Sequence, residues 1–332
     1  MSETAVATVQ ETKVITARFD GDGSIDSYLA TGGYEGLRRA LAMSQADVIE
    51  TVKTAGLRGR GGAGFPTGLK WSFIPADVRP SYIVCNADEG EPGTFKDREL
   101  MERDPHQLIE GMAMGAYAIG CTQMYIYVRG EFAYPARVLE RAAREAYEKG
   151  YLGRNILGSD FDLDLIIHRG AGAYICGEET ALLESLEGRR GQPRLRPPFP
   201  ATHGLYGKPT VVNNVETFAC VPHIMVNGPE WFRGFGTEKS PGTKMFCVSG
   251  DVERPGNFEV PFSTPARDLI EGLAGGVKDG KKLKAFTPGG ASSTPFFGPD
   301  KLDVHMDWED VQAAGSLLGT GAIIVFAEDA CM

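Results

Sequence analysis

Apolar residues along the chain recur at helical spacing in some stretches and pack into short strand-like runs in others. Val48, Ile49 and Val52 share one face of a segment that the Ser44 hydroxyl can cap, which predicts a helix ending at Gly56. A helix is also expected over 34–42. Asp104 followed by Pro105 opens another that runs to about Ile119, because proline suits the first helical position. Residues 135–148 are amphipathic at helical period, with Gly150 just past the end. Between these lie the apolar runs 82–86, 124–128 and 164–168, which read as strands, and 178–186 reads as a short helix. Strand and helix alternate, so the expected fold class is a layered α/β domain.

The two ends of the chain differ from that middle. Residues 1–30 show little helical period and read as an extended arm. After about Thr237 short runs at 245–249, 258–260, 285–287 and 322–326 alternate with Gly/Pro turns, with one helix expected at 265–273. That texture predicts a small α+β module, with Pro241-Gly242 at its border. The expected division is therefore 1–30, 31–237 and 240–332. The apolar run 322–326 has only six residues after it, so a natural terminus and a cut at a domain border are both open.

Composition narrows the function classes. The 332 residues carry 34 Lys plus Arg against 44 Asp plus Glu, a net charge of −10. Such a chain, without a dominant basic stripe, is a poor nucleic-acid binder. No uncharged apolar stretch reaches the ~18 residues of a membrane span, and the first residues carry Glu3 and Glu11 rather than a signal-like apolar core. The chain reads as soluble. Its 6 cysteines are isolated, with no C-x-x-C spacing, and its 5 histidines are scattered. Buried small side chains explain those cysteines, and a metal site built by this chain alone is not expected.

Four segments have the composition of ligand loops. The first, GLRGRGGAGFPTGLKW at 56–71, combines dense glycine with Lys70, and the stretch 51–76 has four basic residues and no acidic one. Glycine lets backbone N–H groups approach an anion closely, and Lys70 adds charge for a phosphate. Gly59, Gly61 and Gly64 match G-x-G-x-x-G formally, but a helix precedes them where that fingerprint needs a strand. A flexible surface loop is the competing reading. The second, NADEGEPGTFKDR at 86–98, follows a strand, where α/β sheets place ligands. Its carboxylates can accept from ribose or ribityl hydroxyls, or they form a solvated acidic turn.

The third, GAGAYICGEETALLESLEG at 170–188, passes from strand to helix, with Glu178 and Glu179 either facing a ligand or merely complementing the helix dipole. The fourth runs over 188–215 with Arg189, Arg190, Arg194, Arg196 and Lys208, no acid, and Phe199 among prolines. It suits a nucleotide's phosphates and adenine, or a contact with an acidic protein partner. No Ser-His-Asp or Cys-His arrangement emerges from local spacing. Hydride transfer needs none when a flavin carries the chemistry.

Taken together, these segments resemble the NADH-binding flavoprotein subunits of bacterial NADH:quinone oxidoreductase (complex I), from about Gly32 to the last residue. The resemblance implies a Rossmann-like FMN-binding domain followed by a ubiquitin-like module of the SLBB type. It also implies that FMN is held by the glycine loop (Gly59, Arg60, Gly61, Gly62) and Lys70, with Asn86, Asp88, Glu89, Tyr174, Gly177, Glu178, Glu179, Asn213, Asn214 and Thr217. NADH is expected against Phe65, Phe73 and Phe199, with Glu91, Glu179 and Arg196 also in contact.

The family continues into a helical C-terminal domain holding a [4Fe–4S] cluster, and the ligands for that cluster are absent from this sequence. Expected partners are a thioredoxin-like [2Fe–2S] subunit and a large iron–sulfur subunit. Through them the chain would serve a quinone-reducing membrane complex, on the cytoplasmic side, peripheral to the inner face of the cell membrane. The alternatives are the equivalent diaphorase subunit of an NAD-dependent formate dehydrogenase or hydrogenase, and a non-catalytic nucleotide-binding module.

Overall fold

The computed structural model describes residues 9–332, which divide into two compact units. One comprises residues 15–90 and 97–232. The other comprises residues 9–14, 91–96 and 233–332.

The first unit is built on four parallel strands, β1 (Tyr82–Ala87), β2 (Gln123–Val128), β3 (Asp164–Arg169) and β4 (Thr210–Asn214), in the order β3-β2-β1-β4. The inner strands are continuous apolar runs because helices cover both faces of the sheet. Ile83, Val84 and Cys85 of β1 are fully buried. Helix Pro105–Ile119 crosses from β1 to β2, and helix Ala133–Glu148 from β2 to β3. The chain then returns past β1 to lay down β4 on its far side, so winding reverses between β1 and β4. In such sheets ligands bind in the crevice beyond the carboxyl ends of the strands at that reversal.

Both faces are packed tightly. Helix Pro105–Ile119 runs against helix Val215–Asn227, and a Cβ added to Gly111 would collide with the Phe218 carbonyl oxygen. On the other face, Leu182, Leu183 and Leu186 of helix Glu179–Leu186 join Val84, Tyr125, Tyr127 and Val212 in one core cluster.

Caps expected from sequence are in place. Asp104 accepts from the Gln107 N–H with Pro105 at the first helical position, and Ser44 accepts from the Asp47 N–H at the start of helix Gln45–Thr54. Several elements differ from expectation. Ile25–Ala30 is a helix capped by Ser24 rather than part of an extended arm. Strand β4 and helix Val215–Asn227 occupy the stretch read only as a basic loop and its sequel. Both are buried: Val211 of β4 and Val215, Phe218, Val221 and Ile224 of the helix are all fully buried.

The second unit holds β5 (Thr243–Gly250), β6 (Gly256–Pro261), β7 (Leu283–Phe286) and β8 (Ala322–Ala327), in the order β6-β5-β8-β7. β5 and β8 are parallel and the two outer pairs antiparallel. The helix expected over 265–273 is wound as a π-helix across Asp268–Leu273, with the Ala274 N–H reaching the Leu269 carbonyl. A further short helix, Trp308–Ala313, was not legible in the sequence. The expected arm begins with residues 1–8, outside the described residues. Of the rest, Thr12 and Val14 donate backbone hydrogen bonds to Glu259 of β6. Among the described residues no helix is long and apolar enough to cross a membrane.

Candidate functional site

The crevice at the reversal is set by register. Asn86 at the end of β1 lies opposite Asn214 at the end of β4, and Cys85 lies opposite Asn213. Each of these amides is tied down. Asn86 donates to the Gly177 carbonyl at 2.8 Å and accepts from the Asp88 N–H. Asn213 accepts from the Trp71 indole at 3.0 Å, and Asn214 donates to Asp97 at 2.6 Å while capping helix Val215–Asn227. The four segments singled out from sequence thus meet at the ends of β1 and β4.

The glycine-rich segment forms a closed turn. Arg58 bridges to Pro66 as an antiparallel pair, the Gly59 N–H donates to the Phe65 carbonyl, and Arg58 Nε donates to the Gly64 carbonyl at 2.8 Å. Gly64 has φ +64, a conformation that glycine enters without strain. A Cβ at Gly61 would meet the Asn214 Cβ at 3.0 Å, so the loop rests directly on the end of β4. The Arg60 N–H donates to Thr217 Oγ1, while its guanidinium is fully buried with Glu216 and Cys220 supporting its charge. The loop therefore presents backbone rather than the Arg60 side chain. The Phe65 and Phe73 rings lie 6.2 Å apart and stand 46% and 50% exposed.

A chain of charges crosses the site. Lys70 Nζ donates to the Val212 carbonyl at 2.7 Å and to Glu179 Oε2 at 2.8 Å. The other oxygen of Glu179 accepts from Arg196 at 3.0 Å, and Arg196 also lies 3.4 Å from Glu178. Glu178 caps helix Glu179–Leu186 through the Thr180 and Ala181 N–H groups. Phe199 follows Arg196 closely and is exposed, as is Tyr174 before the helix. A Cβ at Gly90 would meet the Tyr174 ring at 3.1 Å, which places Gly90 against it.

Asp88 stands apart electrostatically. It is buried, and its Oδ2 atom has no hydrogen-bonding partner among the described residues. Burial pushes its pKa up to about 6, against the pull of Arg129. Arg129, one residue past β2, donates from Nη1 to the Glu89 carbonyl at 2.8 Å and pairs with Glu131 at 3.1 Å. Sequence reading passed over Arg129. The signal that finds it is its place at the carboxyl end of a strand next to β1.

Two residues expected as ligands also bond within the protein. Both carboxylate oxygens of Glu89 accept backbone N–H groups, from Asp97 and Arg98 at the start of helix Lys96–Arg103. Glu91 belongs to the second unit, where it accepts from the Ser292 N–H at 2.8 Å. Among the described residues no cluster of His, Cys, Asp and Glu is placed to hold a metal ion.

The Nuo51 FMN-binding domain family matches residues 52–223, and the SLBB domain family matches residues 245–296. The second NADH-quinone oxidoreductase F subunit of Rhizobium meliloti is 57% identical over 310 residues, 93% of this chain and 73% of that protein. The NADH-quinone oxidoreductase F subunit of Escherichia coli K12 is 52% identical over 316 residues, 93% of this chain and 71% of that protein. Among solved structures, an NAD+-reducing [NiFe]-hydrogenase in the H2-reduced state is similar with a TM-score of 0.78 and 40% identity over 92% of this chain. The chain spans about half the length of that hydrogenase chain, 51%. On the strength of the domain match and the identity to these proteins, the chain belongs to the family of NADH-quinone oxidoreductase F subunits.

Proposed function

We propose that this chain oxidises NADH at a bound FMN and hands the electrons on to iron–sulfur clusters of a quinone-reducing complex. The observation that carries the reading is the line Lys70–Glu179–Arg196 drawn across the switch point of a parallel sheet, where nucleotides bind. The residues fit a flavin mononucleotide. Lys70 offers a cation for its phosphate, and the closed glycine turn offers backbone N–H groups. Asp88 Oδ2 is a buried acceptor without a donor among the described residues, as a ribityl hydroxyl requires. FMN, once bound, supplies acceptance of a hydride from the nicotinamide and release of single electrons.

The chain's part is to position. The exposed rings of Phe65, Phe73 and Phe199 suit the adenine of NADH, and Arg196 suits its diphosphate. Asn213 and Asn86, locked by Trp71 and by the Gly177 carbonyl, keep the floor of the site rigid. The partners in this reading are a thioredoxin-like [2Fe–2S] subunit and a large iron–sulfur subunit, on the cytoplasmic side of the cell membrane. The same half-reaction inside a hydrogenase is the second reading, favoured by the similar hydrogenase structures. The higher identity to the NADH-quinone oxidoreductase proteins supports the first.

Substitution of Lys70 tests the site. Lys70→Met should weaken FMN binding, followed by quenching of flavin fluorescence, by roughly 10- to 100-fold, the worth of one charge-assisted contact. Unchanged affinity would remove Lys70 from the phosphate and the reading would lose its anchor.

A further inference from the structure

The stretch 190–199 carries Arg196 and Phe199 yet contains neither helix nor strand. Leu195, in its middle, is 93% exposed, so apolar packing does not hold it there. What holds it is hydrogen bonding, and most of that comes from Arg194. The Arg194 N–H donates to Thr180 Oγ1 at 2.8 Å. Its guanidinium then reaches in three directions: Nε to Glu184 at 2.5 Å, Nη2 to Glu187 at 2.8 Å, and Nη1 to the Gly204 carbonyl at 2.9 Å. Glu184 lies on helix Glu179–Leu186, Glu187 caps its end, and Gly204 opens the turn leading to β4. Glu187 also accepts from the Tyr206 N–H, so the same carboxylate locks both strips of chain.

We infer that Arg194 is a positioning residue for the dinucleotide, fixing the 190–199 segment so that Arg196 and Phe199 stand ready on one side of the site. This rests on the function proposed above and adds a residue to it that touches neither cofactor nor substrate. The flavin side is held by different contacts, Lys70 with Val212, Asn86 with Gly177 and Asn213 with Trp71, none of which involves Arg194. Loss of Arg194 therefore separates the two ligands. NADH has to order Arg196 and Phe199 itself, at the expense of affinity, while FMN meets an unaltered floor. A lysine cannot replace the fork, because one ammonium on a flexible stem does not serve three acceptors in fixed directions.

The test is anaerobic stopped-flow bleaching of the FMN-loaded full chain over a range of NADH concentrations. In Arg194→Met the half-saturating NADH concentration should rise about tenfold, the ordering of two side chains, with the limiting rate and FMN affinity within about threefold. Arg194→Lys should fall between the two. Glu184→Gln, which keeps the arginine and weakens one contact, should shift half-saturation in the same direction and serves if the Met variant does not fold. Unchanged half-saturation in Arg194→Met, or in Glu184→Gln where that stands in, overturns the inference. So does a parallel loss of limiting rate, FMN affinity and melting temperature, which marks a general structural role. Absence of bleaching in the unsubstituted chain overturns the proposed function first and the inference with it.

Discussion

Asp88 lies buried at the carboxyl end of β1, with one carboxylate oxygen that accepts no hydrogen bond among the described residues and a pKa pushed up to about 6. Two pH effects of opposite sign follow. For folding, a carboxyl whose pKa is raised above its unfolded value binds more protons in the folded state between the two values. Its stabilising contribution is therefore present at low pH and is lost as pH rises from about 4 to about 6. For ligand binding, the ionised form is the better acceptor, so FMN affinity should fall as pH drops below about 6. Asp88→Asn should reduce FMN affinity at pH 8 by about tenfold and flatten the acid fall relative to the unsubstituted chain. The phosphate of FMN titrates near pH ~6 as well, but it cancels in the ratio of the two proteins. A ratio independent of pH would take Asp88 out of the site.

At this scale residue type was legible and partnership was not. Lys70 and Glu179 lie 109 positions apart and meet at 2.8 Å only because β4 and helix Glu179–Leu186 converge. Glu89 is expected as a ligand carboxylate, and its bonds to the Asp97 and Arg98 N–H groups were not legible because they depend on a helix that starts seven residues later.

Elements whose signals are local were read well, and those defined by burial were not. The caps Ser44 and Asp104 announce their helices within four residues, and strands β1 to β3 stand out as short apolar runs between turns. Strand β4 ends in Asn213-Asn214, which resembles a turn, and the helix behind it contains Pro222. That helix exists because its buried face meets helix Pro105–Ile119 at Gly111. Only a residue without a side chain admits the Phe218 carbonyl there. Gly111→Ala should destabilise the first unit by about 1–3 kcal/mol or more, read as a lower urea midpoint, because backbone on both sides has to move. An unchanged midpoint would show that the two helices are not packed this closely.

Across the whole chain, the pattern of strands and helices revealed an α/β fold followed by a smaller α+β module, and the combination of four motifs revealed the family. The crevice itself was not readable, since it arises from the reversal of strand order between β1 and β4. Glu91 sits in the middle of a site motif, and its segment belongs to the second unit, a grouping that no motif announces. The net charge of −10 also leaves the basic stretches as local exceptions, suited to anionic ligands, in an acidic protein. Whether these groups together bring NADH to a flavin is measured most directly by an anaerobic visible-absorption titration of the FMN-loaded chain with NADH. Bound flavin should bleach at about one NADH per FMN, because a two-electron hydride fully reduces the ring. Flavin that stays bound and oxidised in excess NADH would contradict the proposed reaction.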